Sequence, residues 1–161
     1  MRDMQSRQSA GVLMYRRSGA TLEVLLVHPG GPFFAKKDDG AWSIPKGEFE
    51  PDEAPADAAR REFIEETGVD PGADLAPLAV VTQSRAKVVH AYAVERDVDP
   101  AAFTSNTFEV EWPPRSGRKQ TFPEIDRAQW FGVDEAMRKI LAGQRPILDA
   151  LVARFDGATG P

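Results

Sequence analysis

Three glutamates near the middle of the chain, Glu62, Glu65 and Glu66, have the spacing i, i+3, i+4. Because each residue of an α-helix turns through about 100°, this spacing places their carboxylates on one helical face. Like charges this close repel one another, and each such pair destabilises a helix by roughly 0.2–0.5 kcal/mol. A divalent cation would remove the repulsion, so the spacing favours a metal-binding site.

The side chains that the sequence lacks narrow the kind of metal site. The chain contains no cysteine and two histidines, His28 and His90. Disulfides, zinc sites built on thiolates and cysteine nucleophiles are therefore excluded, and a metal ion has to be held mainly by oxygen, as hard cations are. Each histidine lies within a strand-like pattern, where we predict that it packs rather than catalyses.

Length and composition are typical of a single globular domain that spans residues 1–161. Of the 161 residues, 42% are hydrophobic and 28% are charged, which is enough apolar material for a core. The polar residues 1–8 and the terminal residues 157–161 are predicted to be flexible.

The net charge of −5 and the pI near 5.1 argue against the binding of long nucleic acid, which usually needs clustered basic side chains. A small anionic substrate remains compatible, provided that cations in the site screen its charge. The sequence starts without the apolar core of a signal peptide and has no run of about 18 apolar residues. We therefore expect a cytoplasmic protein with no membrane partner, either a monomer or a homodimer.

Hydrophobic periodicity predicts strands, then a helix, then further strands and terminal helices. The near-continuous apolar stretch 22–28 is typical of a strand that is covered on both faces. This order indicates an α+β fold with a mixed sheet between helices. The predicted strands are residues 9–15, 22–28, 75–82, 87–94, 103–112 and 125–131, the predicted helices are residues 55–67, 133–141 and 145–154, and residues 113–123 are predicted to be irregular.

The predicted helix at residues 55–67 has a proline in its first turn and is followed by a glycine, as helices often are. One of its faces is apolar and is expected to pack inward. Ala58 lies among the glutamates instead and is small enough to leave room for an ion. The inward-facing set is Ala56, Ala59, Phe63 and Thr67.

A longer motif surrounds the glutamates. Residues 47–69 fill every defined position of G-x5-E-x7-R-E-U-x-E-E-x-G-U, where U is a bulky apolar residue, and so resemble the complete Nudix box. The preceding residues 42–47, W-S-I-P-K-G, are similar to the W-x-x-P-x-G approach of many family members. The resemblance implies a Nudix-type α/β/α sandwich that hydrolyses a nucleoside diphosphate linked to another moiety, with Mg²⁺ or Mn²⁺ as cofactor.

Carried over to this chain, the resemblance assigns the metal ligands. Glu62, Glu65 and Glu66 would supply carboxylate oxygens to the metal ion. The backbone carbonyl of Lys46 or Gly47 would be a further ligand, and Gly47 would let the loop pass close to the ion.

The resemblance also implies roles for three other charged residues. Glu53 would brace the loop before the helix or hold a bridging water. Arg61 would orient the acids through ion pairs rather than contact the substrate. The general base would be either a box glutamate or a carboxylate of a later loop, for which Glu124 is the candidate; the alternative is that Glu124 is an exposed turn residue.

The substrate contacts are predicted from residue types near the motif. In the loop 29–40, Phe34, together with its neighbour Phe33, is suited to stacking on a nucleobase, and two lysines are suited to contacting phosphate. The alternative is that the phenylalanines cap the core and the lysines are solvated. The full predicted set of substrate contacts is Phe34, Lys36, Lys37, Lys46 and Tyr92.

The substrate itself is indicated by a single tripeptide. Pro45-Lys46-Gly47 resembles the P-K-G of dinucleoside polyphosphate hydrolases, which favours a substrate such as diadenosine tetraphosphate. Nucleoside triphosphates, including oxidised ones, and nucleotide sugars remain alternatives. A module that senses nucleotides without turnover is expected to lose box acids, whereas this chain keeps all four.

Overall fold

The computed structural model describes residues 7–158, which form eight strands and three helices. Two short 3₁₀ turns, Pro100–Ala102 and Ala142–Gln144, lie between them. The regular elements are β1 (Arg7–Ser18), β2 (Thr21–Pro29), β3 (Lys46–Glu48), α1 (Pro55–Thr67), β4 (Ala76–Ser84), β5 (Lys87–Glu95), β6 (Thr107–Glu111), β7 (Lys119–Pro123), β8 (Ile125–Gly132), α2 (Val133–Lys139) and α3 (Arg145–Ala158).

Six of these strands form one mixed sheet. Its order is β4-β5-β1-β2-β8, and β3 pairs with β1 beside this path. β1 and β5 run parallel, whereas the other pairs in the sheet are antiparallel. The remaining strands, β6 and β7, form a separate antiparallel hairpin. The predicted mixed sheet is confirmed.

The sheet separates two apolar cores. On one side, Val12 and Met14 of β1 pack with Phe63 of α1. On the other side, Leu13 packs with Leu148 of α3 in a core that also contains residues of α2. Successive residues of β1 therefore face opposite helical layers, as side chains of a strand must. This arrangement confirms the α/β/α sandwich.

The bounds of α1 agree with the prediction, whereas the set of residues that it buries differs from the predicted set. The helix ends at Thr67 and is capped by Gly68, which has a φ of 77° and donates its backbone N–H to the Ile64 carbonyl at 2.7 Å. Ala58 was expected among the carboxylates, but it is fully buried in the core with Ala59. Ala56, expected to face inward, is only half-buried. The packed face is thus rotated toward Ala58, because α1 lies across both β1 and β3.

The β6–β7 hairpin corrects the prediction for residues 113–123. This segment was expected to be irregular, yet β7 occupies its second half and pairs with β6 along five residues. Phe122 lies opposite Phe108, with 6.2 Å between ring centroids. Phe122 is a lone aromatic residue in a polar segment, so its strand partner is not visible in local periodicity.

The chain ends also differ from the prediction where the structure describes them. Arg7 and Gln8, expected to be flexible, belong to β1 because they continue its parallel pairing with β5. At the other end, residues 157–158 continue α3. The rest of the predicted flexible termini, residues 1–6 and 159–161, lies outside the described residues. Within the described chain, no helix has the length and apolar character needed to cross a bilayer.

A buried glutamine fixes the segment that leads into β3. The side chain of Gln144 is fully buried, and its amide oxygen accepts the Ile44 backbone N–H at 3.1 Å. Its amide nitrogen donates to Ser43 Oγ at 2.9 Å and to Gln83 Oε1 at 2.8 Å. Three stretches that are distant in sequence are therefore joined through one side chain, which sets the path of the chain just before Lys46.

Replacing this glutamine should weaken the fold. Gln144→Met keeps the side-chain volume but leaves the Ile44 N–H without its acceptor, so we expect the free energy of unfolding to fall by about 2 kcal/mol. Urea unfolding measures the change. The matched control is Gln129→Met at an exposed position of β8, for which we expect a change within about 0.5 kcal/mol. Equal effects of the two substitutions would show that the buried amide contributes nothing specific.

Candidate active site

A cavity of about 360 Å³ lies where the end of α1 meets the ends of β2, β3 and β8. Its charged lining residues are Lys46, Glu66, Lys87 and Glu124. Two cationic and two anionic side chains therefore converge on a space that suits part of a small ligand. The other lining residues are Val27, Pro29, Phe34, Ala41, Ser43, Ile44, Gln83, Ile125 and Leu141.

Glu66 is the most perturbed acid of this cavity. Burial, together with the nearby negative charges of Glu62 and Glu124, raises its pKa to about 8. A backbone hydrogen bond from Lys46 and the Lys46 ammonium act in the opposite direction but do not cancel the effect. In the metal-free protein, the surroundings of Glu66 thus disfavour its charged form, and the group keeps its proton near neutral pH.

Glu62 is held against the backbone of β3. A Cβ atom at Gly47 would lie 2.0 Å from Glu62 Oε1, so only glycine leaves room for this carboxylate. Burial raises the pKa of Glu62, the charge of Glu65 adds to the increase, and Arg61 opposes it. The box glycine therefore has a role that the sequence did not show, which is to seat a carboxylate rather than only to shape the loop.

Arg61 ties the acids together through its guanidinium group. Its Nε and Nη2 atoms each donate to Glu53 at 2.9 Å, and its Nη1 atom donates to Glu62 at 2.9 Å and to Glu65 at 3.0 Å. These acids raise the pKa of Arg61, Glu53 most strongly. These contacts are those expected if Arg61 orients the acids. Through its bonds to Arg61, Glu53 braces the loop before α1.

Glu65 lies apart from the cavity. It is exposed and borders a shallow depression on the outer side of α1, together with Asp57, Arg60 and Ile64. The structure thus brings Glu62 and Glu66 toward Glu124 and leaves Glu65 with Arg61. Its predicted role as a metal ligand stays a prediction.

Two lysines, Lys46 and Lys87, line the same cavity. Burial lowers the pKa of Lys46, and the positive charge of Lys87 lowers it further, while Glu66 acts in the opposite direction. The repulsion between the two ammonium groups would be relieved by an anion placed between them. Sequence reasoning missed Lys87, whose only signal was its position at the start of a strand after the turn at residues 83–86.

The predicted substrate contacts separate into two groups. Phe34 and Lys46 line the cavity, as expected. Lys36 and Lys37 are exposed and do not line it, although the Lys37 ammonium lies 5.6 Å from the centroid of the Phe34 ring. Tyr92 is not near the cavity; it borders a separate depression on the β4–β5 surface.

The backbone of Glu124 is anchored on both sides. Its carbonyl accepts the Gly30 N–H at 2.8 Å, and its own N–H donates to the Asn106 carbonyl at 2.8 Å. The side chain is exposed and lines the cavity together with Glu66. This placement suits a carboxylate that acts on a ligand, and the role as general base stays a prediction.

Both histidines are packed side chains, as predicted. His28 is fully buried, with its ring nitrogens 2.7 Å from Asp126 Oδ1 and 2.6 Å from the Lys37 carbonyl oxygen. His90 Nε2 lies 2.7 Å from Gln8 Oε1. Neither side chain lines the cavity.

The acids of the cavity fit a hard divalent cation. Among residues 7–158, no three acidic or histidine side chains are close enough to form a complete metal site. Glu62, Glu66 and Glu124 nevertheless interact electrostatically, and the carboxylates of Glu62 and Glu124 make the charged form of Glu66 unfavourable. A cation between them would reverse this effect, and carboxylate oxygens are the ligands that Mg²⁺ and Mn²⁺ prefer.

The raised pKa of Glu66 predicts how stability changes with pH. Between about pH 5 and pH 8 the folded protein keeps a proton on Glu66 that the unfolded chain releases, since the ordinary pKa of the group is 4.5. The stability contribution is therefore complete below pH 4.5 and is lost as the pH rises toward 8. We expect the loss to be on the order of 3 kcal/mol, allowing for solvent screening.

Urea unfolding in the presence of a chelator, repeated from about pH 5 to pH 8, measures this loss. Glu66→Gln resembles the neutral acid and should remove this part of the pH dependence, whereas Glu50→Gln at an exposed position should retain it. If the curves of wild type and Glu66→Gln ran parallel over this range, Glu66 would not have a raised pKa.

Comparison with known proteins finds relatives that match most of the chain. The chain is 28% identical to an RNA pyrophosphohydrolase of Erythrobacter litoralis over 95% of this chain and 92% of the relative. It is 27% identical to an RNA pyrophosphohydrolase of Rickettsia rickettsii over 77% of this chain and 80% of the relative.

Solved structures share the fold at lower identity. An Ap4A hydrolase of C. elegans, solved as a binary complex, has a TM-score of 0.60 at 21% identity, covering 94% of this chain and 98% of its own. The NUDIX domain of Shewanella oneidensis NrtR, solved with ADP ribose, has a TM-score of 0.61 at 18% identity, covering 93% and 88%.

The family itself is established by a match that spans most of the sequence. The model of the NUDIX domain family matches residues 5–151, which include the glutamate motif, both lysines of the cavity and Glu124. The chain therefore belongs to the Nudix family and is a pyrophosphohydrolase, an enzyme that acts on phosphoanhydride bonds.

Proposed function

We propose that this enzyme hydrolyses a phosphoanhydride bond of a dinucleoside polyphosphate, such as diadenosine tetraphosphate, with the help of a divalent cation. The observation that carries the proposal is the cavity in which Lys46 and Lys87 face Glu66 and Glu124. Two cations suit a chain of phosphates, and the acids suit a metal ion bound to the same phosphates.

The lysines bind and orient the phosphate chain in this proposal. Lys46 is largely enclosed, and burial already disfavours its charge. A phosphate oxygen between Lys46 and Lys87 removes the repulsion of the two ammonium groups, so the anion is held at a defined place. Binding in a partly dry cavity also strengthens this attraction relative to that in bulk water.

The carboxylates hold the cation and accept a proton. Nudix enzymes generally use divalent cations such as Mg²⁺ or Mn²⁺, and Glu62, Glu65 and Glu66 would hold one here, with the backbone carbonyl of Lys46 or Gly47 as a further ligand. When bound, the cation neutralises phosphate oxygens and acidifies water. A carboxylate at the cavity mouth, for which Glu124 is the candidate, then takes the proton of the attacking water.

Arg61 and Glu53 act on the acids rather than on the substrate. The guanidinium donors of Arg61 are occupied by Glu53, Glu62 and Glu65, so they are not directed at a phosphate. The ion pairs fix the rotamer of Glu62 and balance part of its charge. Arg61 and Glu53 are therefore positioning residues.

Two observations favour a dinucleoside polyphosphate as the substrate. Lys46 stands in the tripeptide P-K-G, which resembles that of dinucleoside polyphosphate hydrolases, and its ammonium faces the cavity acids. Phe34 adds an exposed aromatic ring to the cavity wall, as a nucleobase requires. The fold is shared with an Ap4A hydrolase, which is consistent with this choice.

The 5′-triphosphate end of RNA is the second candidate. It is favoured by the curated relatives, which are named RNA pyrophosphohydrolases and match up to 95% of the chain. The net charge of −5 weighs against extended contacts with RNA. Only the terminal phosphates would need to enter the cavity, so this substrate requires no basic surface.

The decisive experiment is a panel of substrates assayed with Mg²⁺ and with Mn²⁺, in which the products are resolved to identify the cleaved bond. The panel contains diadenosine tetraphosphate, nucleoside triphosphates, a nucleotide sugar and a triphosphorylated oligoribonucleotide. We expect the highest kcat/KM for diadenosine tetraphosphate. A higher value for the RNA end would replace the first candidate with the second, and no cleavage of any compound would contradict both.

Removal of one cavity acid should then abolish most of the activity. In Glu66→Gln we expect kcat to fall at least about 100-fold, because a ligand to the cation is lost. Thermal unfolding with and without millimolar Mg²⁺ should show a smaller metal-dependent increase in Tm than in wild type. Asp57→Asn on the exposed side of α1 is the matched control and should change neither quantity. Undiminished turnover in Glu66→Gln would refute the assignment.

A further inference from the structure

An aromatic pair lies next to the cavity, where the loop after β2 meets the β6–β7 hairpin. Phe33 and Trp112 pack edge to face, with 5.5 Å between ring centroids and 82° between ring planes. Phe33 is 56% exposed and its neighbour Phe34 is 40% exposed, and they account for half of the four exposed large hydrophobic side chains found among residues 7–158. We call Phe33 and Trp112 the aromatic corner.

The aromatic corner is held in place by the backbone on both sides. Gly31 has a φ of 97°, and a Cβ atom there would lie 2.7 Å from the ring of Phe108, so the loop rests directly on the hairpin. The N–H of Gly30 donates to the carbonyl of Glu124 at 2.8 Å. The exposed ring of Phe33 therefore belongs to a segment that is packed against the hairpin and joined to the cavity wall.

The hairpin carries aromatic side chains on one face and acidic side chains on the other. Phe108 and Trp112 face the loop, and by strand alternation Glu109 and Glu111 face the other way. The Trp112 N–H donates to the carbonyl of Arg118 at 2.9 Å, which places Arg118 opposite Trp112, one step beyond the last ladder pair, Glu111 and Lys119. The face beside the cavity is thus aromatic and basic, whereas the acids lie on the opposite face.

The aromatic corner is continuous with the cavity. Phe34 lines the cavity, and Phe33 precedes it directly in the chain, about 3.8 Å away between Cα atoms. The ammonium of Lys37 lies 5.6 Å from the centroid of the Phe34 ring. Phe34 therefore joins the cavity to the corner along the chain, and a ligand that extends from the cavity past Phe34 would meet the corner.

We propose that the aromatic corner, together with Arg118, binds the second nucleoside of the dinucleoside polyphosphate substrate. The inference rests on the proposed function and names a subsite for the part of the substrate that the cavity does not enclose. A nucleobase is planar and aromatic, and it stacks on an exposed aromatic ring without hydrogen-bond readout. Arg118 on the same face suits the anionic chain that leads to that nucleoside.

A matched pair of substrates isolates this subsite. Diadenosine tetraphosphate and adenosine 5′-tetraphosphate have the same number of phosphates, and only the first carries a second nucleoside. In Phe33→Ala and in Trp112→Ala we expect the ratio of KM for diadenosine tetraphosphate to KM for adenosine 5′-tetraphosphate to rise about tenfold. Phe33→Tyr keeps the ring and should restore the wild-type ratio.

The control is Val80→Ala, which removes exposed apolar surface from β4, outside the cavity lining and the aromatic corner, and should leave the ratio unchanged. A rise in KM for both compounds alike would show that the aromatic pair only supports the loop, which overturns the proposal. An unchanged ratio overturns it as well. An effect seen only with triphosphorylated RNA would assign the corner to a different ligand and so would also overturn it.

Binding without turnover separates this proposal from the proposed function. The affinities of the two compounds are measured in a chelator by titration calorimetry, for wild type and for Phe33→Ala. If wild type cleaves neither compound but prefers diadenosine tetraphosphate through Phe33, the proposed function fails and the subsite is supported. If wild type cleaves both and Phe33→Ala leaves both the affinity ratio and the KM ratio unchanged, the subsite alone fails.

Discussion

Repulsion among carboxylates at the end of α1 is the interaction on which the rest of the site depends. Glu62 and Glu66 lie close enough to Glu124 that burial and like charge disfavour their ionised forms. The fold provides part of the compensation through Arg61, which joins Glu62 to Glu53 and Glu65. The remainder is left for a cation, so the same charges that weaken the metal-free protein favour metal binding.

The same cavity also contains two positive charges that repel each other. Lys46 is enclosed and lies near Lys87, so the two ammonium groups favour an anion between them. A substrate that carries both phosphates and a cation satisfies the two imbalances together. Binding energy is thereby concentrated on the phosphoanhydride, which is the part of the ligand that reacts.

The helix and the strand whose positions depend on neighbouring residues could be predicted from the sequence. The helix at residues 55–67 has the bounds expected from its flanking residues, and Phe63 is buried as its position on the helix required. Within the predicted strand at residues 9–15, Val12 and Leu13 belong to different cores, because the side chains of a strand point in turn to each face. The helical spacing of the acids correctly grouped Glu62 with Glu66, whereas Glu65 lies apart from the cavity.

Contacts between segments that are distant in the sequence could not be predicted from local sequence patterns. Lys87 reaches the cavity only because β5 pairs with β1, whose other edge pairs with β3, so that β1 alone separates the first residue of β5 from β3. Gln144 bonds to Ile44 across a separation of 100 residues, and nothing in its own neighbourhood marks it as buried. Glu65 and Tyr92 were predicted as site residues from their chemistry, but neither lines the cavity. Glu65 pairs with Arg61, and Tyr92 lies on the β4–β5 surface.

The two backbone hydrogen bonds of Glu124 have a consequence for redesign of this enzyme. One bond joins it to Gly30 in the loop that carries Phe34, and the other joins it to Asn106 before the hairpin that carries Trp112. The loop and the hairpin are therefore mechanically linked through a residue that lines the cavity. A loop transplanted from a relative to change specificity would retain activity only if it reproduced the carbonyl contact of Gly30, because otherwise the carboxylate would move together with the new loop.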